Sequence, residues 1–330
     1  MQFGIRFIEF LGDGPELLRL AIAGEQAGFD SVWFPHDTFM RNTWVLTTAV
    51  ACRTSRIRIG SVGTNPYTTD PCEIATYLAT LDELSNGRAI LGLGLNTCEM
   101  VEWTGIDASD YIVRTREATG LLRTLLNGEV AAFDGEAYHW SRQCYLRFKP
   151  LRNRVPIYVS AFGEDYLELS GQIGNGSLPM LTPPASARYM VPPIRRGLEQ
   201  NPDPADFTIS GCAWLSLAET RQAAADNMRK MIAYFGPYLE DEALAYIGLS
   251  RADLQPMKEL VDQGQYEAAW ALVTDDMLAL GICGTPEDVI REIETLAGLG
   301  IDEVNLGGPL GPDPDEALRL MGERVIPYFR

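Results

Sequence analysis

Two histidines, His36 and His139, are all the imidazole in this chain of 330 residues. That scarcity narrows the chemistry. A barrel hydrolase of the multi-histidine metal type needs an H-x-H pair and further ligands. A Ser-His-Asp triad would have to use one of the two, and no G-x-S-x-G elbow follows an apolar run. The six cysteines, Cys52, Cys72, Cys98, Cys144, Cys212 and Cys283, contain no C-x-x-C pair, which gives no support to zinc or dithiol motifs. No metal is expected. What remains is a small polar set at the ends of apolar runs: Arg6, His36 with Asp37, and Asn96. His36 is the best proton donor, because imidazole titrates near working pH. Asp37 could donate instead, or orient His36. Asn96 can hydrogen-bond without charge. Glu9 is a reserve acid.

These residues need a scaffold, and the hydrophobic pattern supplies one. Short apolar runs at Phe3–Ile8, Ser31–Phe34, Ile57–Gly63, Ala89–Leu95, Ile157–Ala161, Ser177–Leu181, Phe207–Leu217 and Glu303–Leu306 read as strands. Amphipathic segments between them read as helices, among them Pro15–Ala27, Cys72–Leu84, Tyr111–Leu126 and Pro286–Leu299. Eight strands alternating with helices imply an α/β fold with a parallel sheet, and eight is the number that closes a TIM-like (β/α)8 barrel. The chain reads as a single barrel domain over 1–330, with insertions in βα loops near 127–154 and 235–276 where the rhythm breaks. Ala27–Phe34 echoes Leu299–Leu306, each with a glycine stopping a helix before a short strand.

Alternation along the strands then assigns faces. Phe3, Ile5 and Phe7 suit the face packed on helices. Arg6, Gly92, Gly94 and Asn96 fall on the lumen side. A charge there needs a carboxylate or an anionic ligand, since an isolated one in a dry site is very costly. Gly60-Ser-Val-Gly-Thr-Asn-Pro-Tyr67 ends a strand with glycines and a proline, which plain β geometry disfavours. A bulge, or a simple turn, would account for it. Ser160-Ala-Phe-Gly163 leads into a helix, and a helix N-terminus is an anion site.

Lys+Arg 27 against Asp+Glu 45 gives a net charge of −18. That disfavours duplex DNA and anionic membranes as partners. Within this acidic chain Arg147, Lys149, Arg152 and Arg154 form a basic stretch that could steer an anion, or simply face solvent. No apolar run is long enough for a membrane span and no signal peptide is visible, so a cytoplasmic protein is expected.

Four stretches together resemble the bacterial-luciferase-like superfamily: Thr64-Asn-Pro-Tyr67, Ala79-Thr-Leu-Asp-Glu-Leu-Ser-Asn-Gly-Arg-Ala89, Leu91-Gly-Leu-Gly94 and Gly284-Thr-Pro-Glu-Asp288. Within it the chain is most similar to coenzyme F-420-dependent 5,10-methylenetetrahydromethanopterin reductases. The resemblance implies a barrel with an 8-hydroxy-5-deazaflavin at its C-terminal mouth and hydride transfer to or from a small organic substrate. It also implies a bulge after the third strand, with a non-prolyl cis peptide at Val62–Gly63. Val62, Gly63, Thr64, Asn65, Gly94 and Asn96 would then line the ring, and Ser160, Ala161, Phe162 and Gly163 the phosphate. Members are commonly homodimers or larger. Reductases of this type carry acids at the ends of strands 1, 2 and 4, where this chain has Arg6, His36 and Asn96. The scaffold is kept and the proton donors are exchanged, which points away from a pterin substrate. An FMN-dependent monooxygenase shares the same mouth, and a flavin-binding barrel without turnover is a third possibility.

Overall fold

The computed structural model describes residues 1–8, 11–94, 101–239 and 241–330. Helix starts and stops follow local chemistry. Helix α1, Gly14–Ala27, begins where Asp13 accepts from the Glu16 backbone N–H, and ends at Gly28 in the left-handed conformation (φ 96°). Helix α2 is Thr43–Ala51 and α3 is Pro71–Leu84, the latter capped by Asp70 with a proline in its first turn. Helices α4 (Tyr111–Leu126), α5 (Glu164–Ile173), α6 (Ala187–Leu198), α7 (Arg221–Phe235), α8 (Pro286–Leu299) and α9 (Pro314–Leu320) complete the outer ring. None of the described helices is long and apolar enough to cross a membrane.

Inside the ring, eight strands pair in parallel: β1 Gln2–Arg6, β2 Ser31–Pro35, β3 Arg58–Thr64, β4 Ala89–Gly94, β5 Ile157–Ser160, β6 Gly176–Ser177, β7 Thr208–Leu217 and β8 Glu303–Leu310. Each hydrogen-bonds to the next, and β8 returns to β1 with Gln2 opposite Glu303 and Arg6 opposite Gly307. The sheet is closed, the TIM-like barrel expected from eight alternating runs. A short strand, Ile282–Gly284, pairs with the end of β7; its three residues carry too little pattern to be read from sequence. The stretch 127–156 runs from α4 to β5 and holds a small hairpin, Phe133–Asp134 with His139–Trp140. The acidic stretch after α7 folds as helices, Arg251–Asp262 the longest, over a satellite core around Trp214, Met228 and Leu254.

The alternation holds. Phe3, Ile5, Val32, Phe34, Ile59, Leu91 and Val159 are buried in the layer between strands and helices. Trp33, Val62, Ile90, Tyr158, Leu178 and Cys212 pack together inside the barrel. The echo between the two glycine-stopped units is real in shape: Gly28 and Gly300 adopt the same left-handed cap. Their strands place Ser31 and Glu303 on the barrel floor, where the Ser31 hydroxyl donates to the Glu303 carboxylate and the Trp33 indole N–H donates to Ser31 at 2.8 Å.

The longest run of the resemblance, Ala79–Ala89, works at this lower end. Arg88 donates to the carbonyls of Ala51, Thr54, Ile57 and Ser85 at 2.7–3.0 Å, tying α2 and α3 to the starts of β3 and β4. The buried Asp82 accepts from Arg152 at 2.8 and 2.9 Å and from the Ala89 N–H. Arg154 pairs with Asp203 at 2.7 Å. So two members of the basic stretch are committed to carboxylates beside the strand starts, away from the mouth. The expected steering role is corrected for Arg152 and Arg154: a bidentate guanidinium clamp closes the barrel there.

Glu303 is fully buried, with the Arg58 guanidinium 3.5 Å away. Burial pushes its carboxyl above the usual glutamate range, and Arg58 only partly opposes this. A carboxyl raised in the folded state stabilises fully below its unfolded pKa, and that contribution is lost as pH rises toward the folded pKa. Glu303→Gln should therefore gain on the wild type as pH rises above the ordinary glutamate value, read from denaturant midpoints at a series of pH values. A gain that shrinks with pH would contradict the assignment.

Candidate functional site

The C-terminal end of the barrel is shaped first by a missing side chain. The register between β3 and β4 shifts between Ser61 and Thr64, so β3 bulges. The bulged backbone leans over Gly92: a Cβ there would lie 2.5 Å from the Ser61 carbonyl oxygen and 3.0 Å from the Val62 Cα. Gly94, at φ 142°, has the Ser160 carbonyl oxygen 2.3 Å from where its Cβ would be. Glycines at alternate lumen positions of β4 thus let two neighbouring backbones close in. The Thr64 hydroxyl donates to Ser61 Oγ at 2.7 Å across the bulge. Asn65 Oδ1 accepts from the Thr68 backbone and hydroxyl at 2.8 and 2.9 Å, holding the turn that follows.

The expected cis bond is corrected. The cis peptides among the described residues are Thr182–Pro183 and Gly308–Pro309, and Val62–Gly63 is not one of them. Gly63 turns the chain by a left-handed backbone instead, at φ 68°, which glycine adopts without the steric cost other residues meet.

His36 sits beside the bulge, its backbone N–H donating to the Val62 carbonyl at 2.9 Å. Its Nε2 lies 3.5 Å from the Thr69 hydroxyl and its ring meets Trp44 edge-on, while Nδ1 is buried without a partner. Burial pushes the imidazole below its ordinary pKa. A neutral ring accepts a proton or shares a hydrogen bond; it is a poor acid at neutral pH. Asp37 follows on the same loop, half-buried. Arg6 ends β1 inside the lumen, opposite Trp33 of β2 and Gly307 of β8. It is 7% exposed, meets the Met180 sulfur at 3.9 Å, and its Nε has no partner. Asn96 and the reserve acid Glu9 lie outside the described residues.

Across the mouth, Ser160 and Ala161 are buried, and Phe162 stacks on Tyr111 with centroids 5.5 Å apart. Gly163 (φ 73°) starts α5 with no side-chain cap, so the first amide N–H groups of that helix are not used by its own cap. Glu164 would repel an anion there, but Arg196 holds it at 2.6 Å.

Further polar groups hold this end together. Tyr67 donates to Asp110, which also takes Arg114 at 2.9 Å, and the Arg114 guanidinium lies over the rings of Tyr67 and Tyr138. The Tyr138 hydroxyl donates to the Pro66 carbonyl at 3.0 Å. This knot ties the excursion after α4 to the turn after β3, across more than 70 residues of sequence. Thr182 and Asn305 are buried with unpartnered polar atoms. Asn305 had a signal: Glu303, Asn305 and Gly307 alternate with Val304 and Leu306 along β8.

A closed parallel barrel with a glycine-supported bulge and convergent polar groups at its C-terminal mouth is the architecture of a (β/α)8 enzyme site. The chain belongs to the luciferase-like family: the family described as luciferase-like monooxygenase matches residues 7–303. It is 31% identical over 336 residues to the 5,10-methylenetetrahydromethanopterin reductase of Archaeoglobus fulgidus, covering 100% of both chains. It is 32% identical over 337 residues to an F-420-dependent glucose-6-phosphate dehydrogenase of Kineococcus radiotolerans, covering 96% of this chain and 93% of that one. The solved F-420-dependent tetrahydromethanopterin reductase of Methanopyrus kandleri superposes with a TM-score of 0.92 at 26% identity, over 100% of this chain and 99% of that one.

Two measurements test the geometry. Gly92→Ala should cost about 1–3 kcal/mol by forcing the bulge outward; Gly120→Ala on α4, with open space around it, should be neutral or gain about 0.5–1 kcal/mol. Denaturant midpoints of the two variants decide, and equal midpoints would remove the support role of Gly92. Second, with only two histidines in the chain, proton NMR resolves both titrations. His36 should titrate below 6.5, with its stabilising effect lost as pH falls through that range. A midpoint above 6.5 would restore the charged donor.

Proposed function

We propose that this protein is a coenzyme F-420-dependent oxidoreductase that moves a hydride to or from a small organic substrate at the barrel mouth. The observation that carries the reading is the β3 bulge lying on Gly92, in a chain whose relatives include F-420-dependent enzymes along its full length. Gly92 and Gly94 let the neighbouring backbones close in, and a flat ring would lie against the bulge that results. Val62, Gly63, Thr64 and Asn65 would back the ring, with Gly94 opposite Ser160, and Asn96 is proposed from sequence alone. When bound, the deazaflavin supplies or accepts the hydride at a carbon centre.

The chain's own residues do the rest. The bulge orients the ring. The N–H groups of α5, with Ser160, Ala161, Phe162 and Gly163, would receive the phosphate, and the Arg196–Glu164 pair removes a local repulsion. His36, neutral by burial, would accept a proton from a substrate hydroxyl during oxidation, or hold a substrate carbonyl during reduction. Asp37 would assist on the same loop. The acids expected at the ends of β1 and β2 are exchanged for Arg6 and His36, so the substrate differs from that of the pterin reductases. The same reading carries a cytoplasmic homo-oligomer.

FMN is the second reading, since the matching family is described as luciferase-like monooxygenase. Titration of the purified protein separates them. F-420 fluorescence should be quenched at micromolar protein while FMN fluorescence is left unchanged. Quenching of FMN alone would replace this proposal with the oxygenase, and tight F-420 binding with no hydride acceptor in a carbonyl and imine panel would leave a binding protein.

A further inference from the structure

The arginine at the end of β1 has more to say than its position. Arg6 is enclosed, yet among the described residues no carboxylate stands within ion-pair distance of it. Its Nη2 meets only the soft Met180 sulfur at 3.9 Å, and its Nε is buried with no partner. Other partly buried arginines close on partners: Arg88 on backbone carbonyls, Arg114 on Asp110, and Arg152 on Asp82. A desolvated cation without compensation lowers stability, so a chain that keeps one has another use for it.

The surroundings of Arg6 are those of a receptor. The side chain leaves β1 and crosses the lumen to Met180, next to β6. Its path runs past Gly307 of β8, where a Cβ would lie 2.8 Å from Nη2 and 3.0 Å from Nε. Two residues beyond Met180, Thr182 is 1% exposed with an unpartnered hydroxyl. One lumen layer lower, Asn305 is fully buried with both side-chain polar atoms unpaired. Unpartnered buried polar atoms are uncommon, and Arg6, Thr182 and Asn305 each carry at least one.

We infer that Arg6, with the Thr182 hydroxyl as second donor, receives an oxyanion carried by the substrate, so the compound oxidised or reduced at this mouth is itself an acid: a carboxylate or a phosphate ester. A guanidinium fork matches either group with paired, charge-assisted hydrogen bonds. The inference deepens the oxidoreductase reading and rests on it for the reaction, but anion capture is a property of the protein alone.

Thermal unfolding and calorimetry without cofactor test it, using pyruvate, its neutral methyl ester and inorganic phosphate as probes. In the wild type, pyruvate or phosphate should raise the melting temperature while methyl pyruvate does not. A response to pyruvate only assigns a carboxylate, and to phosphate only a phosphate ester. Arg6→Met should melt no lower than the wild type, because an uncompensated charge is gone. It should also bind the responding anion about tenfold more weakly or worse, and Arg6→Lys should keep part of the shift. No anion response in the wild type, or a response that survives in Arg6→Met, overturns the inference. So does a melting temperature of Arg6→Met well below wild type, which would mark Arg6 as a support of the fold. F-420 titration of both proteins runs in parallel and should give equal affinities. If the wild type binds no F-420 yet loses anion binding with Arg6, the cofactor reading falls and the anion site stands.

Discussion

The mouth of this barrel depends on the absence of one side chain. The Ser61–Val62 backbone occupies the space that any residue other than glycine would fill at position 92. From that contact the rest follows in order. β3 can bulge, and His36 is fixed by its N–H on the Val62 carbonyl. The turn after β3 is then locked by Asn65 and tied to the outer excursion by Tyr138 and Arg114. A bulge is a local loss of ladder hydrogen bonds, and it persists only where the surroundings over-determine it. Here a glycine below, a hydroxyl bridge across and an anchored turn above do so.

The two ends of the barrel are built on different terms. At the lower end several charged groups are paired: Arg88 on carbonyls, Arg152 on Asp82, Arg154 on Asp203, Glu303 beside Ser31 and Arg58. At the upper end Arg6, His36 and Thr182 are enclosed with unused polar atoms. Barrels of this type concentrate stability at the strand starts and chemistry at the strand ends.

Much of this was legible in the sequence. The eight runs mark the eight barrel strands in order, the sixth overlapping its strand only at Ser177, because a strand packed between lumen and helices must be apolar and short. Parity placed Arg6 and Gly92 inside, since the pleat leaves no other choice once Phe3 and Ile5 face the helices. The reasons for those placements were not legible. The run Ala79–Ala89 looks like a signature of function, yet Asp82 and Arg88 serve the barrel base. Arg152 and Arg154 look like an anion lure, yet their partners Asp82 and Asp203 are far away in sequence and show only once the chain is folded. Gly63 is a bulge glycine as read, and the route through it is a left-handed φ where a cis bond was expected. Long-range pairing decides each of these cases, and local pattern carries no record of it.

Charge connects the two ends to the proposed chemistry. A chain of net −18 repels an anionic cofactor and an acidic substrate at long range. Within about 8 Å at physiological salt, however, local groups outweigh distant ones. Around α5 the Arg196–Glu164 ion pair offsets one of the two acids of the first turn, Glu164 and Asp165, beside the helix amides. At Arg6 the arrangement is the reverse: among the described residues no carboxylate stands within ion-pair distance of the guanidinium. An acidic surface then becomes a filter. A weakly held anion gains little anywhere on it, and the places where one gains are those where the fold has either cancelled an acid or withheld a partner from a base. Burial of His36 favours its neutral imidazole, which can accept a proton during the reaction.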